Sequence, residues 1–452
     1  MKKNVFISSV FAIMLNLPFT SHMQNPIIQT KYTADPAPLV YNDTVFLYTG
    51  HDEDDAFGFK MQNWLLYTST DMVNWTDHGV VASLKNFKWI NTDNGAWAPQ
   101  CVSRNNKFYM YCPVPNGMGI GVLVADSPYG PFKDPLGKPL IKNSPHDIDP
   151  TVFIDDDGQA YLYWGNPNLY YVKLNENMIS FSGEIIKEPT KPTNYQEGPW
   201  VWKHNKHYYL SYASTCCPEG IGYAMSNSPT GPWEYKGMIM DGDQRSSGNH
   251  PGIIDYKGNS YVFGFNYAIL KQTMSKHYER RSICLENLSF NTDGSIQKLP
   301  FWSKNAAQVG TLNPYRRIEA ETMAYSEGLK TTTTTEWERN ISWDKGKKIA
   351  DRLYVTSIHN GDYMKVQGVD FSTGAVSIDV NVASLHGGRI ELHTDKIDGP
   401  LLGTIEIKAS GEGDIWKTIT IPVKNIKSIH DLYFVFRGEK ELFNFDWWKL
   451  NK

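Results

Sequence analysis

Polar and apolar residues alternate along most of this chain in short bursts of four or five, broken by Gly, Pro, Asn and Asp. No stretch carries a long helical period, so the pattern predicts an all-β protein. The clearest burst is His146 to Gly165. Thr151–Ile154 reads as a buried strand, Asp155–Gly158 as a tight turn and Tyr161–Trp164 as a second strand with aromatics at alternate positions. Asp149-Pro150 stands at the mouth of the first strand. The same phrase occurs at Asp35-Pro36, Trp97-Ala-Pro99, Glu197-Gly-Pro199 and His250-Pro251, each followed by an apolar run, a polar turn and an aromatic-rich strand. The five prolines lie 63, 51, 49 and 52 residues apart. A repeat of about 50 residues made of short strands predicts a five-bladed β-propeller over 29–303. A second marker, as in Ser127-Pro-Tyr-Gly-Pro-Phe132 and Ser228-Pro-Thr-Gly-Pro-Trp233, predicts a turn after each third strand.

Beyond residue 313 the Asp-Pro phrase disappears and strands alternate simply, as in Ala375–Val382 and Leu432–Phe436. Residues 304–313 read as a linker and 314–452 as a β-sandwich of jelly-roll type. The segments Lys85–Asn94 and Asp241–Asn249 are expected to overhang the axial mouth.

Equivalent positions of radial repeats meet near the axis. Asp35, Trp97, Asp149, Glu197 and His250 therefore converge at one end of it. A single acid there reads as a turn cap. Three acids at one phase of three repeats read as chemistry, because Asp and Glu are seldom buried without a purpose or a partner. Two carboxylates suffice for glycoside hydrolysis, one giving a proton to the leaving oxygen and one activating water or attacking carbon. A third raises its neighbours' pKa and helps keep the donor protonated near neutral pH. The same oxygens also suit a hard cation such as calcium.

Composition narrows the partners. A net charge of −4 with no basic block argues against nucleic acid and against an anionic membrane surface. The 26 Tyr and 14 Trp suit stacking on sugar rings and propeller interiors alike. Lys2-Lys3 followed by the apolar Val5–Phe19 reads as a signal peptide over 1–23, too short to span a membrane, so an exported, periplasmic or secreted protein is expected. The five cysteines (101, 112, 216, 217, 284) show no zinc spacing. They read as mostly free thiols, adjacent Cys216 and Cys217 being poorly placed to pair.

The repeat set resembles glycoside hydrolase family 43 across about 29–300. The resemblance rests on Thr33-Ala-Asp-Pro-Ala-Pro, Trp97-Ala-Pro-Gln, Ile148-Asp-Pro-Thr-Val-Phe-Ile-Asp-Asp-Asp-Gly, Glu197-Gly-Pro and Asn249-His-Pro-Gly. It implies Asp35 as general base, Asp149 as the acid that tunes and orients, and Glu197 as general acid. It also implies inversion, with base and acid roughly 6.5–9.5 Å apart. It puts His250 on the axis, beside a water-coordinated calcium or hydrogen-bonded in the centre. It brings Arg281 to the pocket. Trp97 and Trp164 wall the sugar site or pack the core. The C-terminal part resembles a family 6 carbohydrate-binding module through Arg317-Ile-Glu-Ala-Glu, Asn360-Gly-Asp-Tyr, Ala383-Ser-Leu-His-Gly-Gly-Arg-Ile-Glu-Leu and Phe443-Asn-Phe-Asp-Trp-Trp. That implies a structural calcium on Glu319, Glu321 and Asp446, and sugar contacts at Trp416 and Asn444. Gly411-Glu-Gly-Asp-Ile departs from the usual Gly-Gly-Trp before Trp416. The implied activity is an exo-acting α-L-arabinofuranosidase on arabinoxylan, a plant cell-wall polysaccharide, with β-xylosidase as alternative. A lectin-like propeller would lose an acid, and a retaining fructan hydrolase would need Trp-Met-Asn-Asp-Pro where this chain has Thr-Ala-Asp-Pro.

Overall fold

The structure, a computed structural model, describes residues 25–115, 117–243, 249–273, 279–303, 306–333, 353–384, 386–410 and 415–452. The expected signal segment 1–23 lies outside them, as do 244–248 of the Asp241–Asn249 segment.

Among the described residues, five antiparallel sheets follow one another in chain order. The first holds Tyr32–Tyr41, Thr44–Asp52, Asn63–Ser69 and Trp75–Ser83, and the second Gln100–Arg104, Lys107–Val114 and Gly119–Ala125. The third holds Thr151–Ile154, Ala160–Trp164, Tyr170–Leu174 and Phe181–Lys187, and the fourth Tyr195–His204, His207–Ser214, Gly220–Ser226 and Glu234–Met240. The fifth holds Gly252–Tyr256, Asn259–Asn266 and Ser282–Leu288. The first strand of each sheet touches the first strand of the next, and that of the fifth returns to the first, so the ring closes. The N-terminal segment lies along the last strand of the fifth sheet, with Ile27 N–H donating to Ile283 O at 2.8 Å.

The hairpin turns follow from residue type. Asn42-Asp43, Asn105-Asn106 and Lys257-Gly258 all have positive φ at both positions, the two-residue geometry whose twist matches the strands it joins. These turns lie at the end of each sheet away from the prolines. The second strand then runs back, so the loop between second and third strands stands at the same end as the acids. The Ser-Pro-x-Gly-Pro-aromatic stretches do follow third strands, and Phe132 and Trp233 are buried. Among the described residues, helix is confined to Ala268–Thr273 and a 3-10 turn at Leu84–Asn86.

Lys85–Asn94 is tied down rather than free over the mouth. Trp89 Nε1 donates to Asp134 Oδ2 at 2.8 Å, and Asn94 Oδ1 accepts the N–H of Met61 at 2.8 Å.

The C-terminal part is a sandwich of a six-stranded and a five-stranded antiparallel sheet, closed over a core that includes Val380, Phe434, Phe445 and Trp448. It is joined to the first domain by more than a linker. Thr322–Met323 adds a fifth strand to the first sheet beside Trp75–Ser83, covering what would be an open edge. Thr331 Oγ1 and Lys31 Nζ both donate to buried Asp77 Oδ2, at 2.6 and 3.0 Å.

The expectation about Cys216 and Cys217 is corrected. Their sulfurs are joined in a disulfide, the two Cα atoms lying 3.1 Å apart, so adjacency in the chain does not keep them from pairing. Cys101, Cys112 and Cys284 are buried free thiols.

Candidate active site

Asp35 and Asp149 both have positive φ, 52° and 57°, a backbone state that Asp tolerates better than most residues and that clusters at functional sites. In both, the following proline has no N–H to give a ladder. The first strand slips register between Ala34 and Ala37, and the strand carrying Glu197 slips on both sides of it, between Tyr195 and Trp200. The irregular backbone turns these carboxylates out of the sheet and toward the ring centre.

They share one site. Asp35 is 5% exposed, and its Oδ1 accepts Arg281 Nη1 at 2.8 Å. Burial pushes its carboxyl up to about 6 against the opposing pull of Arg281, with the charge of Asp52 adding to the rise. Asp149 accepts the Gly198 N–H on Oδ2 at 3.1 Å. Burial, then the charges of Glu197 and Asp35, hold its carboxyl well above the usual range. Glu197 is raised by burial and then by Asp35, against the amide of Asn166, which donates to its Oε2. Gln196 Nε2 donates to Asn166 Oδ1 at 3.2 Å and so aims the Asn166 amide at the acid. Both carboxyls are thus raised by burial, and the charge of Glu197 lifts Asp149 further, so the two titrate as a pair.

Glycine at 198 is required. Its φ is 59°, and a Cβ there would lie 2.7 Å from His250 Cδ2. His250 Nε2 in turn sits 3.9 Å from Asp149 Oδ1. Among the described residues neither ring nitrogen of His250 has a hydrogen-bond partner, and burial followed by the charge of Arg281 pushes the imidazole down to about 3, so it is neutral. A neutral imidazole with open nitrogens fits a bound water or a hydrated cation.

Arg281 is buried beneath the acids. Its Nε and backbone N–H donate to Asp52 Oδ2 at 3.0 and 2.7 Å, its Nη2 to Asp52 Oδ1 at 2.9 Å, and its Nη1 to Asp35. It reaches the acids, as the resemblance implies, and its donors serve the carboxylates of Asp52 and Asp35. The expectation for Trp164 is corrected. It is 0% exposed, with Nε1 donating to Asp147 Oδ1 at 2.8 Å, because its strand is the second of its sheet and its ring points into the packing between sheets. Trp97 is half-buried against the core, its carbonyl accepting Trp64 Nε1 at 2.7 Å.

Sequence reasoning missed three residues here. Asp52 ends the second strand in Tyr48-Thr-Gly-His-Asp52, and only the return of that strand to the mouth gives it a site position. Asn166 lies in an ordinary Asn-Pro turn. Glu219 immediately precedes the third strand of the fourth sheet and is buried near Glu197. Burial, then Glu197, raise it to about 8, and it accepts the N–H of Asn249.

In the second domain Trp416, Ala383 and Asn444 stand in register across three neighbouring strands. Thr356 Oγ1 donates to Asn444 Oδ1 at 2.8 Å. Tyr354 was missed by sequence reasoning, since Leu353-Tyr-Val-Thr reads as a plain strand. Its ring packs edge-on to Trp416 with centroids 5.2 Å apart. The Gly411–Asp414 departure lies outside the described residues. Glu321 is buried, and its Oε2 has no hydrogen-bond partner. Its carboxyl is held well above the usual range by burial, with Glu319, Asp77 and Asp446 adding negative charge. Hard oxygens around an orphaned carboxylate fit a calcium ion in chemistry. Arg317 meanwhile holds Glu319 Oε2 at 2.7 Å and reaches Asp446 Oδ1 at 3.5 Å.

Residues 23–296 match glycosyl hydrolases family 43, and residues 319–452 match the carbohydrate binding module (family 6). An arabinoxylan arabinofuranohydrolase of Bacillus subtilis (strain 168) is 33% identical, the alignment covering 95% of this chain and 92% of the relative. A crystal structure of a family 43 arabinoxylan arabinofuranohydrolase from Bacillus subtilis, in complex with cellotetraose, superposes with a TM-score of 0.82 at 31% identity over 95% of this chain and 98% of that one. A family 43 β-xylosidase/α-arabinofuranosidase from a compost microbial metagenome, in complex with xylotriose and in calcium-free form, superposes with a TM-score of 0.56 at 28% identity over 62% and 98%.

Proposed function

The chain belongs to glycosyl hydrolases family 43, and from that premise we propose that it is an exported, inverting, exo-acting α-L-arabinofuranosidase that removes side-chain arabinofuranose from arabinoxylan. In this reading the five sheets are the blades of a propeller and the acids stand at one end of its axis. The observation that carries the reading is that Asp35, Asp149 and Glu197, far apart in sequence, are buried around one arginine, with the charge of Asp35 acting on both of the others. The coverage of both arabinofuranohydrolase relatives extends through the second domain.

Glu197 gives the proton. Its Oε2 is engaged by Asn166, which leaves Oε1 to carry the proton toward the glycosidic oxygen. Asp35 takes a proton from water. Its position near 6 leaves it ionised at neutral pH yet basic enough to accept one. Asp149, fixed by the Gly198 N–H, shares the pair's proton and so keeps Glu197 loaded. Water attacks the anomeric carbon opposite the leaving oxygen, which inverts the centre. Calcium, where bound by Glu319, Glu321 and Asp446, would supply structural binding energy in the second domain. A hydrated calcium beside His250 would orient groups on the axis. Tyr354, Trp416 and Asn444 would hold a sugar. A β-xylosidase is the second reading, favoured by the compost-metagenome relative.

The test is to incubate the protein with arabinoxylan, arabinan and xylo-oligosaccharides and identify the released sugar. Arabinose from arabinoxylan is expected, and xylose alone would move the assignment to the second reading. NMR of the first-formed anomer checks inversion, and a retained anomer removes the mechanism.

A further inference from the structure

The loop between second and third strands stands at the mouth of each sheet, and in the first sheet it is residues 53–62. It leaves from Asp52, which holds Arg281, and it ends at Met61, whose Sδ lies 3.1 Å from Arg281 Nη2. The loop is built rather than loose. Glu53 N–H donates to Lys60 O at 3.0 Å, Ala56 N–H to Glu53 O at 2.8 Å, and Arg280 Nη2 to Ala56 O at 3.1 Å, with Ala56 buried beneath. At its apex this ordered loop exposes two phenyl rings. Phe57 is 86% exposed and Phe59 is 51% exposed, the latter 5.1 Å from the guanidinium carbon of Arg281. An apolar patch held in water beside a reactive site marks a binding surface.

We propose that Phe57 and Phe59 form an aromatic ledge that holds the main chain of the substrate polymer beyond the bond being cleaved. This rests on the arabinofuranosidase reading of the acid site. Three features select the occupant. The ledge is continuous with the pocket through Arg281. Its charged residues are already engaged, Asp55 with Lys60 and Asp54 with Lys330 of the second domain, each at 2.9 Å, which suits a neutral partner. Pyranose rings present flat C–H faces that pack on aromatic faces while their hydroxyls stay in water, as amphipathic surfaces do at a half-wet site. The Lys330 contact also makes the second domain a support for the ledge.

Phe57→Ala is the probe chosen, because Phe59 packs on Arg281 and its loss would disturb Asp35. In the intact protein, kcat/KM is measured on arabinoxylan and on a small chromogenic arabinofuranoside. The polymer-to-small-substrate ratio is expected to fall about tenfold, through KM, as for the loss of one aromatic anchor. An unchanged ratio overturns the ledge. The second measurement does not need turnover. In Glu197→Ala protein, calorimetry with linear xylohexaose is expected to show about tenfold weaker binding when Phe57→Ala is added. Equal binding overturns the ledge. Wild-type protein that releases no arabinose from either substrate counts against the proposed activity instead, and the xylohexaose arm still decides the ledge.

Discussion

Each domain gathers carboxylates around an arginine, Arg281 in the first and Arg317 in the second, and the two arginines are used differently. In the first domain Arg281 is buried and forks between Asp52 and Asp35, while burial and the neighbouring acids hold the Asp149 carboxyl well above its usual range. In the second domain Arg317 is half in solvent and lies over Glu319, with Asp446 at the edge of its reach, and Glu321 is left buried without a hydrogen bond at Oε2. In the proposed reading the same residue types manage protons in one place and fit a cation in the other. What separates them is whether the countercharge is buried with the acids. A buried arginine fixes which carboxylate ionises. An exposed one leaves a negative hole that a metal ion fills better.

The largest effect that tests this contrast is on catalysis. Asp35→Ala and Glu197→Ala are each expected to lower turnover of arabinoxylan by about a thousandfold or more, with circular dichroism and melting temperature close to wild type. Wild-type rates in either would remove both from the chemistry. Next comes Arg281→Lys. Lysine keeps the charge and loses the fork, so it cannot hold Asp52 and Asp35 together. Activity is expected to fall about a hundredfold through misplacement of the base. The pH profile gives the sign. Asp35 must be ionised to act, and burial already pushes it up to about 6, so the acid limb of kcat/KM lies near there. Arg281 opposes that push, and weakening it moves the limb to higher pH. A limb that stays put would show that Arg281 does not set the base.

How much of this was legible depends on repetition. The five Pro-marked phrases recur at one phase, so the three acids and their convergence follow from the chain alone, and the turn residues Asn42, Asn105 and Lys257 take the positive φ their sequence asks for. Nothing repeats around Asp52, Asn166 or Glu219. Each sits in a loop or strand end whose place at the mouth depends on which way its strand runs. Trp164 misled because a tryptophan two strands from an acid looks available, whereas the pleat aims it between sheets. The vicinal disulfide was missed because backbone geometry, not cysteine spacing, brings the sulfurs together. In the second domain no repeat exists, and its ligand set came only through family resemblance. Tyr354 went unseen because one aromatic in an alternating strand looks like any other.

A smaller effect sharpens the second half of the contrast. Calcium added to chelator-treated protein is expected to raise the melting temperature of the second domain. Binding at a hundred times Kd stabilises by about 2.7 kcal/mol. Glu321→Gln is expected to remove most of that gain, because it takes a charge from the centre of the ligand set. An equal gain in the variant would place the ion elsewhere.

The smallest effect separates burial from countercharge directly. Glu219 lies in the first domain near Glu197, yet like Glu321 it is buried, and among the described residues Arg281 acts on it only through its charge, with no arginine donating to it. Its carboxyl is pushed from 4.5 up to about 8, first by burial and then by Glu197. Between those values the unfolded chain has released this proton and the folded chain still holds it. The folded state binds more protons, so stability falls as pH rises through that window and levels off above about 8. Glu219→Gln keeps an acceptor for the Asn249 N–H and removes the titration. The variant is therefore expected to melt a few degrees above wild type at pH 8, with the difference vanishing below pH 4.5. Calorimetric scans across that range read it directly. A constant offset at every pH would mean the change acts through packing, and burial without countercharge would then not be what distinguishes the two clusters.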